Sequence, residues 1–155
     1  MIQKMCIIVD INVAHRVFRK VPDHDFGPIT NALFRTSPGL TARLVYGGRL
    51  RTEYESSRTT ADAIRALDQR GRAIRLPDDQ VNAKEDTIRK TATLTSDDPH
   101  VLAVALIAGA RLLCTLDAAL IADFTNPRLI PGRGRVYQNA THAHLLRTHC
   151  RRRAR

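Results

Sequence analysis

The stretch Asp98-Pro99-His100-Val101-Leu102-Ala103-Val104-Ala105-Leu106-Ile107-Ala108-Gly109-Ala110-Arg111-Leu112-Leu113-Cys114-Thr115-Leu116-Asp117 decides how this chain folds. From Val101 to Ala108 it is apolar all round, and a helix of that kind, spanning Pro99 to Ala110, is buried. Asp98 suits the N-cap and Pro99 the first turn. Gly109 ends the helix, and Arg111 to Thr115 follows as a short apolar strand. A buried helix that feeds straight into a buried strand is part of a βαβ pattern, and the remainder lies on either side.

Upstream, Met5-Cys6-Ile7-Ile8-Val9 is a continuous β-branched run, as expected of a strand covered on both faces. It ends at Asp10, and Asn12 to Lys20 has helical spacing through Val13 and Val17. Turn residues from Val21 to Pro28 lead to a helix over Ile29 to Arg35, which Pro38-Gly39 breaks. Arg43 to Tyr46 is the second strand, closed by Gly47-Gly48. A helix carrying Glu53 follows, then another from Arg58 to Arg70 with Ala63, Ile64 and Leu67 inward and Gly71 as its C-cap. Ala73 to Leu76 is a third strand, and Asp78 to Lys90 is a polar helix. Downstream come a short helix, Ala118 to Phe124, a loop over Pro127 to Gly134, and a fifth strand at Arg135 to Tyr137. This alternation specifies an α/β domain: a central parallel sheet of about five strands flanked by helices. Residues 1–150 form one domain, and Arg151 to Arg155 is a basic, frayed tail.

Of the 155 residues, 43% are hydrophobic, enough for a real core. No apolar run reaches the roughly 18 residues that cross a bilayer, and Met5 to Val9 is too short for a signal-peptide core. Cys6 and Cys114 sit in apolar runs, where a reduced, buried thiol is expected; a cytoplasmic location is the default. The formal charge of +10 attracts polyanions, of which RNA, DNA and acidic lipid are the classes. With no Trp and 5% aromatic residues, a base-stacking platform is a poor fit, so nucleic acid would be held through its phosphates.

Open α/β sheets place their ligand crevice at the carboxyl ends of the strands. Asp10 follows the first strand, Glu53 lies within two turns of the second, and Asp117 lies two residues past the fourth. Asp98 begins the helix that runs back across the sheet, which brings it to the same edge. Converging carboxylates repel: two unit charges about 4 Å apart cost roughly 4 kcal/mol at an effective dielectric near 20. A hard divalent cation relieves that repulsion, and all-oxygen ligation selects Mg²⁺ or Mn²⁺ over zinc. Each acid also has a purely structural reading. Asp10, Asp98 and Asp117 are good N-caps, and Glu53 could pair with Arg49 or Arg51.

The residues Ile7-Ile8-Val9-Asp10-Ile11-Asn12, Glu53, Asp98 to Ala103 and Gly109 to Asp117 together resemble the PIN-domain family of nucleases in order and approximate spacing. The resemblance covers nearly the whole chain and implies a PIN-like three-layer sandwich. It implies a Mg²⁺- or Mn²⁺-dependent endoribonuclease with Asp10, Glu53, Asp98 and Asp117 as catalytic and metal-binding acids. Asn12 and Thr115 fall at positions that orient a carboxylate or water. Asp97 neighbours the matched Asp98, and Asp123 lies off the pattern. By the same resemblance, the chain fits the toxin of a toxin–antitoxin pair. Its partners would be RNA, a small acidic antitoxin-type protein or a second copy of itself, with no membrane. The alternative is an RNA-binding or assembly module whose metal site is weak or unused. His100, beside Asp98, reads as a helix-surface histidine. His142, His144 and His149 read as surface histidines on a terminal helix rather than as a zinc site.

Overall fold

The computed structural model describes residues 5–36 and 39–151. Pro38 and the tail residues Arg152 to Arg155, invoked above, lie outside the described residues. Five strands form one sheet: β1 (Ile7–Val9), β2 (Leu44–Tyr46), β3 (Ala73–Arg75), β4 (Leu112–Cys114) and β5 (Arg135–Tyr137). Their order is β3-β2-β1-β4-β5, and every pairing is parallel. The connections are helical: α1 (Ile11–Val17), α2 (Gly27–Phe34), α3 (Arg49–Glu55), α4 (Arg58–Gln69), α5 (Asp78–Thr91), α6 (Pro99–Ala108), α7 (Ala118–Phe124) and α8 (His144–His149). This is the α/β arrangement, a parallel sheet of five strands flanked by helices, that the alternation of the sequence calls for. Every residue of β1, β2 and β4 is buried, which explains why these strands are apolar rather than alternating.

The chain leaves β1 toward β2 and β3, then returns through α5 and α6 to lay down β4 on the other side. That reversal creates a switch point between β1 and β4, where a crevice opens beyond the strand ends. The register pairs Val9 with Cys114, so Asp10 and Thr115 emerge side by side. The apolar α6 packs against α5, β1 and β2, and Val101 to Ala105 are all buried. Gly109 stops it in the left-handed conformation, with φ of 72°.

Several local expectations needed correction. The first helix ends at Val17, not Lys20, because Phe18 turns into the core against Phe34 and Tyr54. The second starts at Gly27: Asp23 accepts a hydrogen bond from Phe26 N, and Pro28 then fits the opening turn. Cys6 is not a free thiol. It is joined to Cys150, 144 residues away, and only Cys114 remains as a buried thiol among the described residues. This pins the chain's end to β1, where Thr41 N also donates to Cys150 O and Leu40 bridges Arg151. No helix among the described residues is long and apolar enough to cross a membrane.

Candidate active site

Asp10 takes the N-cap position of α1 but makes no side-chain cap bond. Its Oδ2 instead accepts a 2.7 Å hydrogen bond from Thr115 Oγ1, across the β1–β4 seam. The carboxyl is 3% exposed. Burial pushes it up to about 6 from an ordinary 3.8; the Thr115 bond opposes the rise, and the carboxylates of Asp98 and Glu53 add to it. Asp98 is likewise at the N-cap of α6 without capping it. Its carboxyl also lies above the usual range, first from burial, with Asp117 and Glu53 pushing the same way and Arg49 opposing. For these two acids the capping explanation fails.

Asp117 differs. Its Oδ1 accepts from Ala119 N and Leu120 N, so it does cap α7, while its own N–H is held by Thr115 Oγ1. Thr115 therefore touches both Asp10 and the loop of Asp117. Asn12, by contrast, is exposed and forms no hydrogen bond to the acids among the described residues.

Glu53 reaches the group from α3. Tyr54, next along, is buried and donates its hydroxyl to Val9 O, which moors α3 to the end of β1. The Gly47-Gly48 turn starts this helix. Gly48 has φ of 58° and ψ of −135°, and a Cβ there would stand 2.6 Å from Val81 Cγ1, so only glycine fits. The expected partners Arg49 and Arg51 do not pair with Glu53. Arg51 binds Asp78 and Glu55, and His100 Nε2 meets Glu53 Oε1 at 2.7 Å. His100 is thus not the surface residue its sequence position suggested: it is 0% exposed. The signal for this is the apolar run around it: Pro99 to Ala105 are all buried, and a polar residue within that run is buried with them.

Asp97 is fully exposed and 3.8 Å from Arg89. Asp123 is buried, and it accepts from Thr95 N, Ser96 N and Ser96 Oγ, fixing the loop that delivers Asp98. In the terminal helix region, Cys150 is taken by the disulfide, and His142 Nδ1 accepts from Gln138 N.

The electrostatic neighbours are therefore Asp10, Glu53, Asp98 and Asp117, each within reach of at least one other's charge. Among the described residues, no three His, Cys, Asp or Glu side chains are gathered closely enough to form a ready ligand cage. Among the described residues no lysine or arginine forms a salt bridge to Asp10 or Asp98, and carboxylate oxygen is the donor type that hard divalent ions take.

No family model matches the chain, and no curated protein matches it. Among solved structures, a chain of VapBC-1 from nontypeable Haemophilus influenzae is similar with 18% identity and a TM-score of 0.40, over 73% of this chain and 87% of that one.

Proposed function

We propose that this protein is a divalent-metal-dependent endoribonuclease that hydrolyses RNA phosphodiester bonds at the β1–β4 switch point, using Asp10, Glu53, Asp98 and Asp117. The observation behind this reading is the pair Asp10 and Asp98: two buried or half-buried acids at helix starts that make no side-chain cap bond and, among the described residues, have no cationic salt-bridge partner. A fold does not keep such charges for stability, because each raised carboxyl marks a folded state that charge disfavours. A bound Mg²⁺ or Mn²⁺ would supply charge neutralisation, a polarised phosphoryl oxygen and an acidified water. Thr115 holds Asp10 in place, His100 holds Glu53, and Asp123 fixes the loop of Asp98. The net charge of +10 draws phosphates to the surface.

The observation that favours the alternative, an RNA-binding module without chemistry, is the lack of a ready three-ligand cage among the described residues. Labelled RNA and single-stranded DNA, incubated with the protein in EDTA and then with Mn²⁺, separate the two. Internal RNA cleavage that needs Mn²⁺ and vanishes in Asp98→Asn supports the nuclease. Tight RNA binding in EDTA with no cleavage after Mn²⁺ overturns it.

The toxin role belongs to the same proposal, with a small acidic protein as partner. A 640 Å³ groove lined by Phe18 and Phe34 and rimmed by Arg19, Lys20, Arg35 and Arg70 offers an apolar floor with a cationic edge, complementary to an acidic amphipathic segment. The product of an adjacent reading frame for a small acidic protein should co-purify and block cleavage, and Arg35→Glu with Arg70→Glu should release it. Failure of that product to bind removes the toxin assignment and leaves the nuclease.

A further inference from the structure

Arg49 and Glu53 stand four residues apart on α3, the spacing at which such residues usually pair directly. Here an imidazole from another helix is inserted between them. His100 Nδ1 lies 2.7 Å from Arg49 Nη2, and Nε2 lies 2.7 Å from Glu53 Oε1. A guanidinium can only donate hydrogen bonds, so Nδ1 must accept. The ring hydrogen is then on Nε2 and is donated to Glu53. The neighbours, not a convention, fix the tautomer. Water does not compete, as His100 is 0% exposed. Arg49 is steadied from the other side, with Nη2 3.3 Å from Asp97 O and Nε 3.9 Å from Glu85 Oε1.

We infer that His100 is the positioning residue of Glu53: fixed as its Nε2–H tautomer by Arg49, it engages Oε1 and leaves Oε2 as the oxygen offered to a divalent cation. The inference rests on the metal-dependent reading above. A direct guanidinium contact would engage both carboxylate oxygens in a fork and compete with a cation for them. An imidazole N–H engages one. Among the described residues no donor meets Glu53 Oε2. Because His100 is two residues beyond Asp98 on the same helix start, the contact also sets the spacing between the acids of α3 and α6.

Two measurements on the full chain test this. In the metal-free protein, the imidazole nitrogen shifts of His100 should show an unprotonated Nδ1 and a protonated Nε2. Mn²⁺ titration by calorimetry should then show His100→Leu binding about 10- to 100-fold more weakly. His100→Gln, whose amide can both accept from Arg49 and donate to Glu53, should recover most of that loss. In a Glu53→Gln background, His100→Leu should cause no further loss. Should the buried-site variants fail to fold, Arg49→Met, altered at a part-exposed side chain, should still loosen the tautomer and weaken Mn²⁺ several-fold. A protonated Nδ1 in the unaltered protein, or wild-type Mn²⁺ affinity in folded His100→Leu, overturns the inference. An unaltered protein that binds no Mn²⁺ sinks the metal reading instead, and the nitrogen shifts then judge the Arg49–His100–Glu53 contact alone.

Discussion

Asp78 and Asp10 are the same residue type at the same kind of place, the start of a helix on the sheet's carboxyl edge. Asp78 is surrounded by donors: Arg51 Nε and Nη2, Arg75 Nη2 and Gly48 N. The Arg51 hydrogen bond above all holds its carboxyl down to about 2. Asp10 receives the neutral Thr115 hydroxyl and the adjacent Ile11 amide but no cation among the described residues, and burial pushes it up to about 6. Asp123, fed by two backbone amides and a serine hydroxyl, belongs with Asp78. The fold thus uses some acids as fasteners, giving them cationic or multiple partners, whereas among the described residues Asp10 and Asp98 have no salt-bridge partner.

The sharpest way to break that contrast is to remove charge from each class. Asp98→Asn or Asp10→Asn should lower Mn²⁺-dependent RNA cleavage by about 10³-fold or more while the protein stays folded. Asp78→Asn should cost about 1 kcal/mol of stability, discounted for solvent screening, and leave cleavage within a few-fold. Gel-based cleavage rates and urea unfolding read both. Wild-type turnover by Asp98→Asn would move that residue into the fastener class.

Asp123→Ala tests the fasteners themselves. It removes the acceptor of Thr95 N, Ser96 N and Ser96 Oγ at a part-buried site, so stability should fall by about 2 kcal/mol. Cleavage should fall with it, since the loop carrying Asp98 loses its anchor. A urea midpoint equal to that of the unaltered protein would show that Asp123 fastens nothing.

The two classes also answer pH with opposite signs. Asp10's folded value lies above its ordinary 3.8, so its burial penalty is fully present above about 6 and disappears as pH falls toward 4. In EDTA the protein should therefore gain about 2 kcal/mol from this group between pH 7 and pH 4.5, and Asp10→Asn should flatten the gain. Asp78's folded value is depressed, so its contribution is present above about 4 and is lost as pH falls through about 2. Urea unfolding at pH 4.5 and 7 without metal is the measurement. An Asp10→Asn protein with the same pH dependence as the wild type would show that Asp10 is not the strained acid.

The sheet was legible in the sequence because buried parallel strands have no solvent face to hide: Ile7-Ile8-Val9 and Leu112-Leu113-Cys114 are apolar without alternation. The end of the sheet at which Asp10 and Asp117 follow β1 and β4 came from the same order. What could not be read was who touches whom. Arg49 and Glu53 look like a salt bridge until His100, 47 residues past Glu53, is placed between them. Asp98 and Asp117 look like equivalent caps, and only backbone angles decide that one caps and the other does not. Cys6 seemed unpaired because its partner lies at the far end of the chain, brought back by β5 and α8.

The smallest effect belongs to net charge alone. Arg152, Arg153 and Arg155 contribute to the +10 total, whereas Arg151 is already tied by its backbone to Leu40. If the three act as diffuse attraction for RNA phosphates, deleting residues 152–155 should leave Mn²⁺-dependent turnover at saturating RNA unchanged. Affinity should weaken, and the slope of log K against log salt should flatten by at most about 2, near 0.7 for each lost phosphate contact on single strands. Anisotropy titrations of labelled RNA at several salt concentrations measure that slope. An unchanged slope assigns RNA attraction to the folded surface alone, and a collapse of turnover would mean the tail reaches the acids and is no mere attractor.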